Sequence, residues 1–261
     1  MKFDVQLESI ATNNINMDFF YVPWDSHTFN RNVAQISKFE IHNTKNALAD
    51  FQLFLTWCLE NKITFISCRL LHSQVNEAIF LESNRFKFIE LNYRPIINNI
   101  ESLKLPISDI AVNEAEKADM PILANIAEKV FHHERFHTDP LIETDLANKR
   151  YRFWLENAFE QKQQKILKFT LHNELIAFFV VEYPESNHCL WSLTGMLPKF
   201  QGKGLGKQVW KTMLKHHQNE AINTVSTSIS SHNIPVFNLY VALGFRFPEP
   251  YTTFHCSYNH A

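Results

Sequence analysis

The apolar residues of the first hundred positions recur at two different intervals, which predict two kinds of element. Runs rich in β-branched and aromatic residues predict strands at Val33–Ile41, Ile63–Leu71 and Phe86–Tyr93. Apolar residues three and four positions apart predict helices at Ala47–Leu59 and Val75–Leu81. Ahead of them, Pro23 disfavours a strand over Tyr21–His27, so we predict a turn there, where Asp25 or Ser26 would cap a short helix.

A polar stretch with Pro106 at its middle, Asn98–Asp109, indicates a linker. We therefore predict a smaller α/β domain over 1–106 and a second domain over 107–261. Strands are predicted in the second domain at Asp109–Val112, Ile166–His172, Leu175–Tyr183, Cys189–Leu197, Val225–Ile229 and Tyr251–Tyr258. Helices are predicted at Ala115–Phe131, Leu141–Phe159, Leu205–His217 and Pro235–Leu243. Helices around a central strand meander predict an α/β fold with a mixed sheet.

Two segments of the chain resemble each other faintly. A predicted helix runs into the aromatic stretch Asn84–Phe88, and a second one runs into Gly244–Phe247. The echo is either a sign of two related halves or two unrelated helix-to-strand turns, and so short a match favours the second interpretation.

Charge and composition exclude several classes of protein. The chain has 25 Lys and Arg against 27 Asp and Glu, which disfavours broad nucleic-acid binding. The longest apolar run, Leu175–Val181, is too short to span a bilayer, and the first ten residues have no apolar signal core, so we expect a cytoplasmic protein without membrane insertion. The four cysteines form no CxxC pair, and we expect buried or half-buried thiols and no metal.

Glycine is unevenly distributed along the chain. Average usage would give roughly 18 glycines in a chain of this length, but there are 5, and the first is Gly195. Gly202 and Gly204 fall between a predicted strand and a predicted helix, and Gly206 is the second residue of that helix. Such a turn leaves the N–H groups of the helix start exposed past residues without side chains, which is typical of a phosphate site. The spacing matches neither a GxxxxGK[ST] loop nor GxGxxG.

Lysines recur every four residues from this turn into the helix that follows it, at Lys203, Lys207, Lys211 and Lys215. Like charges at this spacing repel one another, and cations at a helix N-terminus oppose the helix dipole. A bound polyanion would relieve both penalties. The alternative is a solvated lysine face next to an ordinary turn, but the glycine distribution favours the anion site.

The segment Gln201-x-x-Gly204-x-Gly206 resembles the Q/R-x-x-G-x-G/A motif of the GNAT superfamily of acyl-CoA-dependent N-acyltransferases. Asn233, Tyr240 and the stretch Leu243–Phe245 are similar to a second motif of that superfamily. The resemblance covers roughly residues 107 to 258. It implies a GNAT-like fold, with a central splayed mixed sheet flanked by helices, preceded here by the smaller N-terminal domain.

The resemblance also implies functional residues. Acyl-CoA would be the co-substrate, its pyrophosphate bound by the glycine turn. The residues implied in coenzyme A binding are Met196, Leu197, Gln201, Gly202, Lys203, Gly204, Leu205, Gly206, Lys207 and Asn233. Tyr240, which by itself reads as a core residue, would protonate the departing thiolate, and N–H groups of Thr194–Leu197 would hold the oxyanion. The candidates for the base that deprotonates the amine stay open: His132, His133, Glu134, His137, Asp139 and Glu182.

The region Phe131–Pro140, with Trp24–Ser26 near the start, is similar to the GNAT branch that N-acylates dTDP-linked amino-dideoxyhexoses, as dTDP-fucosamine acetyltransferase does. This implies a nucleotide-linked amino sugar as partner, and a homodimer. Polar groups of Arg135, His137 and Asp139 would contact phosphate and hydroxyl groups, and Tyr151 and Trp154 would contact a base or sugar. The alternative, that these residues only pack helices together, carries equal weight.

The acyl group stays open between acetyl and a short hydroxyacyl group such as hydroxybutyryl. Two other functions compete with the aminosugar hypothesis. One is acylation of a protein, peptide or aminoglycoside amine, for which acidic grooves would be suited. The other is a non-catalytic module that binds coenzyme A.

Overall fold

The computed structural model describes residues 5–160 and 164–258, which form two compact units. Unit 1 comprises residues 5–92, Arg135–Leu146 and 249–258, and unit 2 comprises Tyr93–Glu134, 147–160 and 164–248. Neither unit is continuous in sequence, and residue 106 lies inside unit 2. That residues 1–106 fold as a domain on their own stays a prediction.

The described residues contain strands and helices that alternate along much of the chain. The strands are β1 (Glu8–Ala11), β2 (Ile15–Tyr21), β3 (Asn32–Ile41), β4 (Ile63–Leu71), β5 (Lys87–Tyr93), β6 (Ile96–Ile97), β7 (Ala111–Glu114), β8 (Gln164–Leu171), β9 (Glu174–Glu185), β10 (His188–Met196), β11 (Thr224–Thr227), β12 (Ile229–Ser230) and β13 (Tyr251–Ser257). The helices are α1 (Pro23–Phe29), α2 (Ala47–Glu60), α3 (Val75–Ser83), α4 (Met120–Val130), α5 (Arg135–Thr138), α6 (Thr144–Glu160), α7 (Leu205–Asn219) and α8 (Ile234–Ala242). The predicted α/β class with mixed sheets is confirmed.

Unit 1 is built on strands in the order β1-β2-β3-β4-β13-β5. Strands β3 and β4 run parallel, and the other neighbours in this series run antiparallel. The C-terminal strand β13, which the sequence analysis counted with the second domain, lies between β4 and β5. One face of the sheet carries an apolar core to which α2 contributes the fully buried Phe51 and Phe54, and the Phe54 ring lies 4.8 Å from that of Phe19.

Unit 2 is built on strands in the order β6-β11-β10-β9-β8-β7, of which only β10 and β11 run parallel. Helix α7 packs on one face, where Trp210 joins a core with Phe179 and Trp191. Helices α4 and α6 pack on the other face, around Phe178 and Val180. Because both faces are covered, the strands at the centre are apolar on both sides, as the continuous apolar run in β9 shows.

Three local expectations differ from the structure. The sequence analysis predicted no strand before residue 33, yet β2 alternates buried and half-buried residues with a period of two. The segment predicted as a turn is helix α1, whose first residue is Pro23 because proline suits the start of a helix. Helix α4 begins at Met120 rather than Ala115, since Glu116 and Asp119 form a capping box around a preceding 3₁₀ turn.

Helix α8 ends in a Schellman motif. Leu243 caps the helix, and Gly244, with φ of 85°, takes the left-handed conformation that follows. The N–H of Phe245 donates to the oxygen of Tyr240 at 3.0 Å, and the N–H of Gly244 donates to the oxygen of Val241 at 3.0 Å. Glycine avoids the steric cost of this φ, so its predicted place after the helix is confirmed.

Helix α3 ends in the same motif without glycine. The N–H of Phe86 donates to the oxygen of Leu81 at 3.0 Å, and the N–H of Arg85 donates to the oxygen of Glu82 at 3.3 Å. Arg85 has φ of 71° and takes the place that Gly244 has in unit 2. The echo seen in the sequence therefore corresponds to one hydrogen-bond motif used in both units.

The described part of the chain contains no helix long and apolar enough to cross a membrane. All four cysteines are buried and free, as expected. Burial raises the pKa of the Cys58 thiol to about 12 and that of Cys68 further still, so these thiols stay protonated and unreactive at neutral pH.

Candidate active site

Strand β10 continues beyond the point where its parallel neighbour ends. The pairing of β10 with β11 stops at Trp191 and Thr227, whereas β10 extends to Met196. On its other side β10 stays paired with β9, and the N–H of Leu197 donates to the oxygen of Ile176 at 2.9 Å. Successive N–H groups point to opposite edges of a strand, so the N–H of Met196 points to the edge that β11 has left. We call this opening between β10 and β11 the fork.

A glycine turn connects the end of β10 to α7. After a 3₁₀ turn at Pro198–Phe200, Gly202 and Gly204 take φ values of 70° and 76°, which other residues adopt only with strain. A Cβ atom at either glycine would meet no atom within 4 Å, so the turn faces open space. The side chain of Gln201 donates from Nε2 to the oxygen of Met196 at 2.8 Å and ties the turn to β10.

The N-terminus of α7 is uncapped by any side chain. Gly204 holds the cap position and the first turn of the helix contains no acidic residue. The N–H groups of this turn therefore have neither a side-chain acceptor nor a negative charge of the helix's own, at the positive end of the helix dipole. Gly204 is exposed, whereas Leu205 and Gly206 are half-buried. The turn is open enough for an anion to approach, as the proposed phosphate site requires.

The four lysines of the turn and α7 fall into two groups. Lys207 and Lys211 border a cavity of about 490 Å³ that Gly204 also lines. Lys203 lies with its Nζ 6.0 Å from the centroid of the Phe200 ring, and Lys215 donates to Gln218. The two lysines on the cavity wall are therefore the ones placed to meet an anion next to the turn.

Asn233 caps helix α8, and its Oδ1 accepts from the N–H of Val236 at 3.4 Å. This is a structural role, and its predicted part in coenzyme A binding stays a prediction. The other residues implied in coenzyme A binding lie along one continuous stretch: Met196 and Leu197 at the end of β10, Gln201, Gly202, Lys203 and Gly204 in the turn, and Leu205, Gly206 and Lys207 in the first turn of α7.

Tyr240 projects from α8 into the interior of unit 2, and its hydroxyl lies at the fork. The residue is fully buried, and among the described residues its hydroxyl has no hydrogen-bond partner of normal geometry. Burial raises the pKa of Tyr240, and nearby polar groups of Trp210, Thr227 and Thr194 lower it to a smaller extent. Thr194 belongs to β10 and Thr227 ends β11. The hydroxyl is therefore a protonated group held at the fork without a fixed acceptor.

Two of the candidate bases have contacts that relate them to this site. The charge of Glu134, which is half-buried, raises the pKa of Tyr240 further, so the two groups lie within electrostatic reach. Glu182 accepts at its Oε1 from the hydroxyl of Ser192 at 2.5 Å and from Gln164 at 2.6 Å, which holds it beside β10. His132 and His133 are exposed.

The remaining candidates, His137 and Asp139, belong to unit 1. Asp139 is bonded to His255, with 2.7 Å between Oδ2 and Nδ1. The guanidinium of Arg135, also in unit 1, stacks 4.4 Å from the Phe136 ring centroid, and its Nη2 lies 4.0 Å from the Asp25 carboxylate.

Tyr151 and Trp154 belong to unit 2. The ring of Tyr151 is buried and stacks on Phe131 at 4.6 Å, and the ring of Trp154 stacks on Tyr151 at 6.3 Å. The residues predicted to bind the acceptor are thus divided between the units. Their part in substrate binding stays a prediction.

Sequence reasoning missed the groups around the Tyr240 hydroxyl. Thr227 and Trp210 lie 13 and 30 residues before Tyr240 in the chain, and no motif marks them. It also gave no reason to expect the hydrogen bond between Asp139 and His255, because β13 was counted with the second domain. The described residues contain no group of three or more His, Cys, Asp and Glu side chains placed to hold a metal ion.

The sequence of this region matches a known family. Residues 125–245, which include the turn, the fork and Tyr240, match the profile described as acetyltransferase (GNAT) family. Over this stretch, which is less than half of the chain, the sequence is similar to that family. The resemblance seen in the sequence is confirmed at this level, and the dTDP-aminosugar branch stays a prediction. No curated protein matches the chain.

Solved structures share the GNAT-like fold over almost the whole chain. A conserved protein of unknown function from Staphylococcus epidermidis has a TM-score of 0.68 and 9% identity, covering 99% of this chain and 96% of that one. A GCN5-related N-acetyltransferase from Sphaerobacter thermophilus has a TM-score of 0.64 and 8% identity, covering 94% and 81%. A tandem GNAT protein from the clavulanic acid biosynthesis pathway has a TM-score of 0.63 and 11% identity, covering 98% and 84%. At these identities the likeness shows the fold alone.

Proposed function

We propose that the protein is an acyl-CoA-dependent N-acyltransferase that acylates the amine of a nucleotide-linked amino-dideoxyhexose. The acyl group is acetyl or a short hydroxyacyl group. The donor half of the proposal has the stronger support, since it rests on the GNAT segment and on the geometry of unit 2. The acceptor half rests on the resemblance of Phe131–Pro140 to the dTDP-aminosugar branch.

One observation carries the proposal. The 3₁₀ turn and four further residues connect the open edge of β10 to the uncapped N-terminus of α7. The hydroxyl of Tyr240 lies at the fork, where β10 and β11 separate. A diphosphate suits the first group of N–H donors, and a thioester carbonyl suits the second. The arrangement therefore fits a donor that carries both groups, as an acyl-CoA does.

The chain would hold the acyl-CoA at two places. The N–H groups of Gly204, Leu205 and Gly206 would bind the pyrophosphate, with Lys207 adding charge at the adjoining cavity. The N–H of Met196 would donate to the thioester oxygen and to the oxyanion that it becomes. When bound, the thioester supplies an activated acyl carbon. Attack on this carbon by a neutral amine leads to an amide and a free thiol.

Two protons move in this reaction. We assign removal of the amine proton to Glu134, because among the candidate bases its charge acts on Tyr240. Tyr240 would donate its proton to the departing sulfur. The raised pKa of Tyr240 keeps the hydroxyl protonated before the reaction. The same burial raises the pKa of a thiol beside it. Because burial raises both pKa values, it does not oppose proton transfer from the hydroxyl to the thiolate.

The direct test is release of free thiol. The purified chain is mixed with acetyl-CoA or hydroxybutyryl-CoA and a panel of dTDP-amino-dideoxyhexoses, and thiol is followed with a chromogenic disulfide. We expect turnover with at least one pair. If no sugar of the panel leads to thiol release but a peptide or an aminoglycoside does, the proposed acceptor is wrong and the proposed donor stands. Coenzyme A binding without turnover on any amine would make the chain a non-catalytic module.

Glutamine in place of Glu134 tests the base. Glu134→Gln keeps the size of the side chain and removes its ability to take a proton, so we expect kcat to fall by about 10²-fold or more with little change in acyl-CoA affinity. Glu128→Gln is the matched control, because Glu128 lies on α4 of the same unit and pairs with Arg152. A kcat that Glu134→Gln leaves unchanged excludes Glu134 as the base.

A further inference from the structure

Unit 1 contains a cavity that is lined by none of the residues assigned above to donor binding or proton transfer. Its volume is about 780 Å³, which lies in the range of pockets for small molecules. Its wall combines an apolar part, formed by Ile89, Pro140 and Leu141, with a polar part. The polar part includes Arg85, Lys87, Asp139, His255 and Ser257.

His255 and Asp139 form a buried pair at this wall. The Nδ1 of His255 lies 2.7 Å from Oδ2 of Asp139, and Oδ1 of Asp139 accepts from the N–H of Leu141 at 2.9 Å. A carboxylate accepts and does not donate, so we assign the imidazole proton to Nδ1. The ring is held between Phe65, at 4.8 Å, and Phe136, at 5.5 Å. Nε2 therefore carries a lone pair in a fixed orientation.

Burial keeps this histidine neutral. The pKa of His255 is lowered to about 4, chiefly by burial, against which the hydrogen bond to Asp139 acts in the opposite direction. Burial also raises the pKa of Asp139, but the hydrogen bonds from His255 and Leu141 outweigh it and the pKa is lowered overall. At neutral pH the pair is thus a carboxylate and a neutral imidazole, and Nε2 is an acceptor.

Two buried polar atoms at the cavity have no hydrogen-bond partner within the described ranges. They are Nε2 of His255, a residue only 2% exposed, and Oγ of Ser257. Both residues project from the same face of β13, two positions apart, which separates them by roughly 7 Å. Buried polar atoms without a partner are unfavourable, so a ligand that forms hydrogen bonds with both would stabilise the site.

Cationic side chains adjoin these two atoms. Lys87 is the residue of β5 directly opposite His255 in the antiparallel register, and Arg85 precedes it in the chain. Both are exposed and both line the cavity. Glu82 is the exposed acidic residue at the same wall. The cavity thus presents one fixed acceptor, one hydroxyl and two cations.

We propose that this cavity is a binding site for a small anion that carries hydroxyl groups, either a sugar phosphate or a sugar acid. A hydroxyl of the ligand donates to Nε2 of His255, a second hydroxyl exchanges a hydrogen bond with Ser257, and the phosphate or carboxylate pairs with Lys87 and Arg85. The site does not depend on acyl transfer, so its binding is measured without acyl-CoA.

The test is titration calorimetry with four probes on the full chain. The probes are α-D-glucose 1-phosphate, D-gluconate, D-glucose and inorganic phosphate. We expect one of the first two to bind at least tenfold more tightly than D-glucose, which lacks the charge, and than phosphate, which lacks the hydroxyls. Which of the two binds identifies the anionic group. No binding of either one, or equal binding of D-glucose, overturns the proposal.

Variants locate the binding. Lys87→Gln and Ser257→Ala should each weaken the better probe at least fivefold, and His255→Asn at least tenfold. The matched controls are Lys38→Gln and Ser37→Ala, which change neighbouring residues of β3 outside the cavity and should leave affinity unchanged. Should His255→Asn fail to fold, the exposed Lys87 still decides the result. If neither Lys87→Gln nor Ser257→Ala changes the affinity, the probe binds elsewhere and the proposal is overturned.

Discussion

In unit 2, α7 begins at Gly204 with no side chain on its N–H groups, and β10 runs on past β11 with one edge open. In unit 1, the strands around β13 stay paired on both sides, and the open atoms are instead the side-chain groups of His255 and Ser257. Main-chain donors suit anions and developing oxyanions, whereas a lone-pair nitrogen suits a hydroxyl. The two units thus offer different chemistry, because unit 2 leaves main-chain N–H groups without a partner and unit 1 leaves side-chain atoms without one.

The ends of α3 and α8 sharpen this contrast. Both helices end in a Schellman motif, with Arg85 in one and Gly244 in the other. All five glycines of the chain lie in unit 2, whereas unit 1 uses Asn30, Lys62 and Arg85 at its left-handed positions. The left-handed conformation alone therefore does not require glycine. At the α7 turn the absence of side chains also keeps the surface open.

The largest expected effect is that of removing the Tyr240 hydroxyl. Tyr240→Phe keeps the ring in the core and removes the proton donor, so we expect kcat to fall by 10²- to 10⁴-fold while acyl-CoA affinity changes little. Steady-state kinetics with the accepted amine measure both quantities. Tyr183→Phe, which alters a hydroxyl bonded to Glu220 in the same unit, is the control. Unchanged turnover in Tyr240→Phe would remove the acid from the mechanism.

A smaller effect is expected on stability in acid. Burial lowers the pKa of His217 in unit 2 to about 4, and its Nε2 accepts from the indole N–H of Trp191 at 2.9 Å. Between pH 6.5 and 4 the unfolded chain binds a proton at this histidine and the folded chain does not. The free energy of unfolding therefore decreases as the pH falls, by about 1.4 kcal/mol per pH unit for each such histidine.

His255 in unit 1 has a pKa lowered to the same value and should add an equal slope. Urea unfolding of the wild type at pH 7.0, 5.5 and 4.5 measures the total slope, to which both histidines contribute. His217→Gln and His255→Asn should each reduce the slope by about 1.4 kcal/mol per pH unit. If both variants keep the slope of the wild type, the two histidines are not the groups that take up the protons.

The smallest effects are expected at the two helix ends. Gly244→Ala places a Cβ at φ of 85° and should destabilise the fold by about 1 kcal/mol, whereas Arg85→Gly relieves a φ of 71° and should stabilise it by a similar amount. Because Arg85 lines the unit 1 cavity, both variants are compared by urea unfolding without ligand. Changes of the same sign in the two variants would contradict the shared motif.

The sequence predicted unit 2 more completely than unit 1, for a physical reason. The α7 turn is a local feature, since Gly202, Gly204 and the start of the helix are neighbours in the chain, and local backbone requirements leave a local signal. The His255–Asp139 pair joins residues 116 positions apart. It exists because β13 inserts between β4 and β5, and periodicity gives the face of a strand but not its neighbours.

Tyr240 shows the same limit within unit 2. Its position on α8, and the end of that helix before Gly244, could be predicted from the spacing. Its surroundings could not, because Thr194, Thr227 and Trp210 reach the hydroxyl from three other elements. Whether a tyrosine hydroxyl has a structural role or takes part in a reaction depends on its burial and its neighbours. Both depend on the packing of the whole unit.

The proposed function depends above all on the anion site at the α7 turn. Titration calorimetry with coenzyme A tests this site most directly. Gly204→Val puts a β-branched side chain at φ of 76° in front of the helix N–H groups, whereas Gly206→Ala changes a glycine without positive φ, whose added Cβ would come no closer than 3.9 Å to Leu239. We expect the wild type and Gly206→Ala to bind coenzyme A with similar heat and affinity, and Gly204→Val to bind at least tenfold more weakly. A wild-type chain that gives no heat, or a Gly204→Val chain that binds like the wild type, would contradict the account.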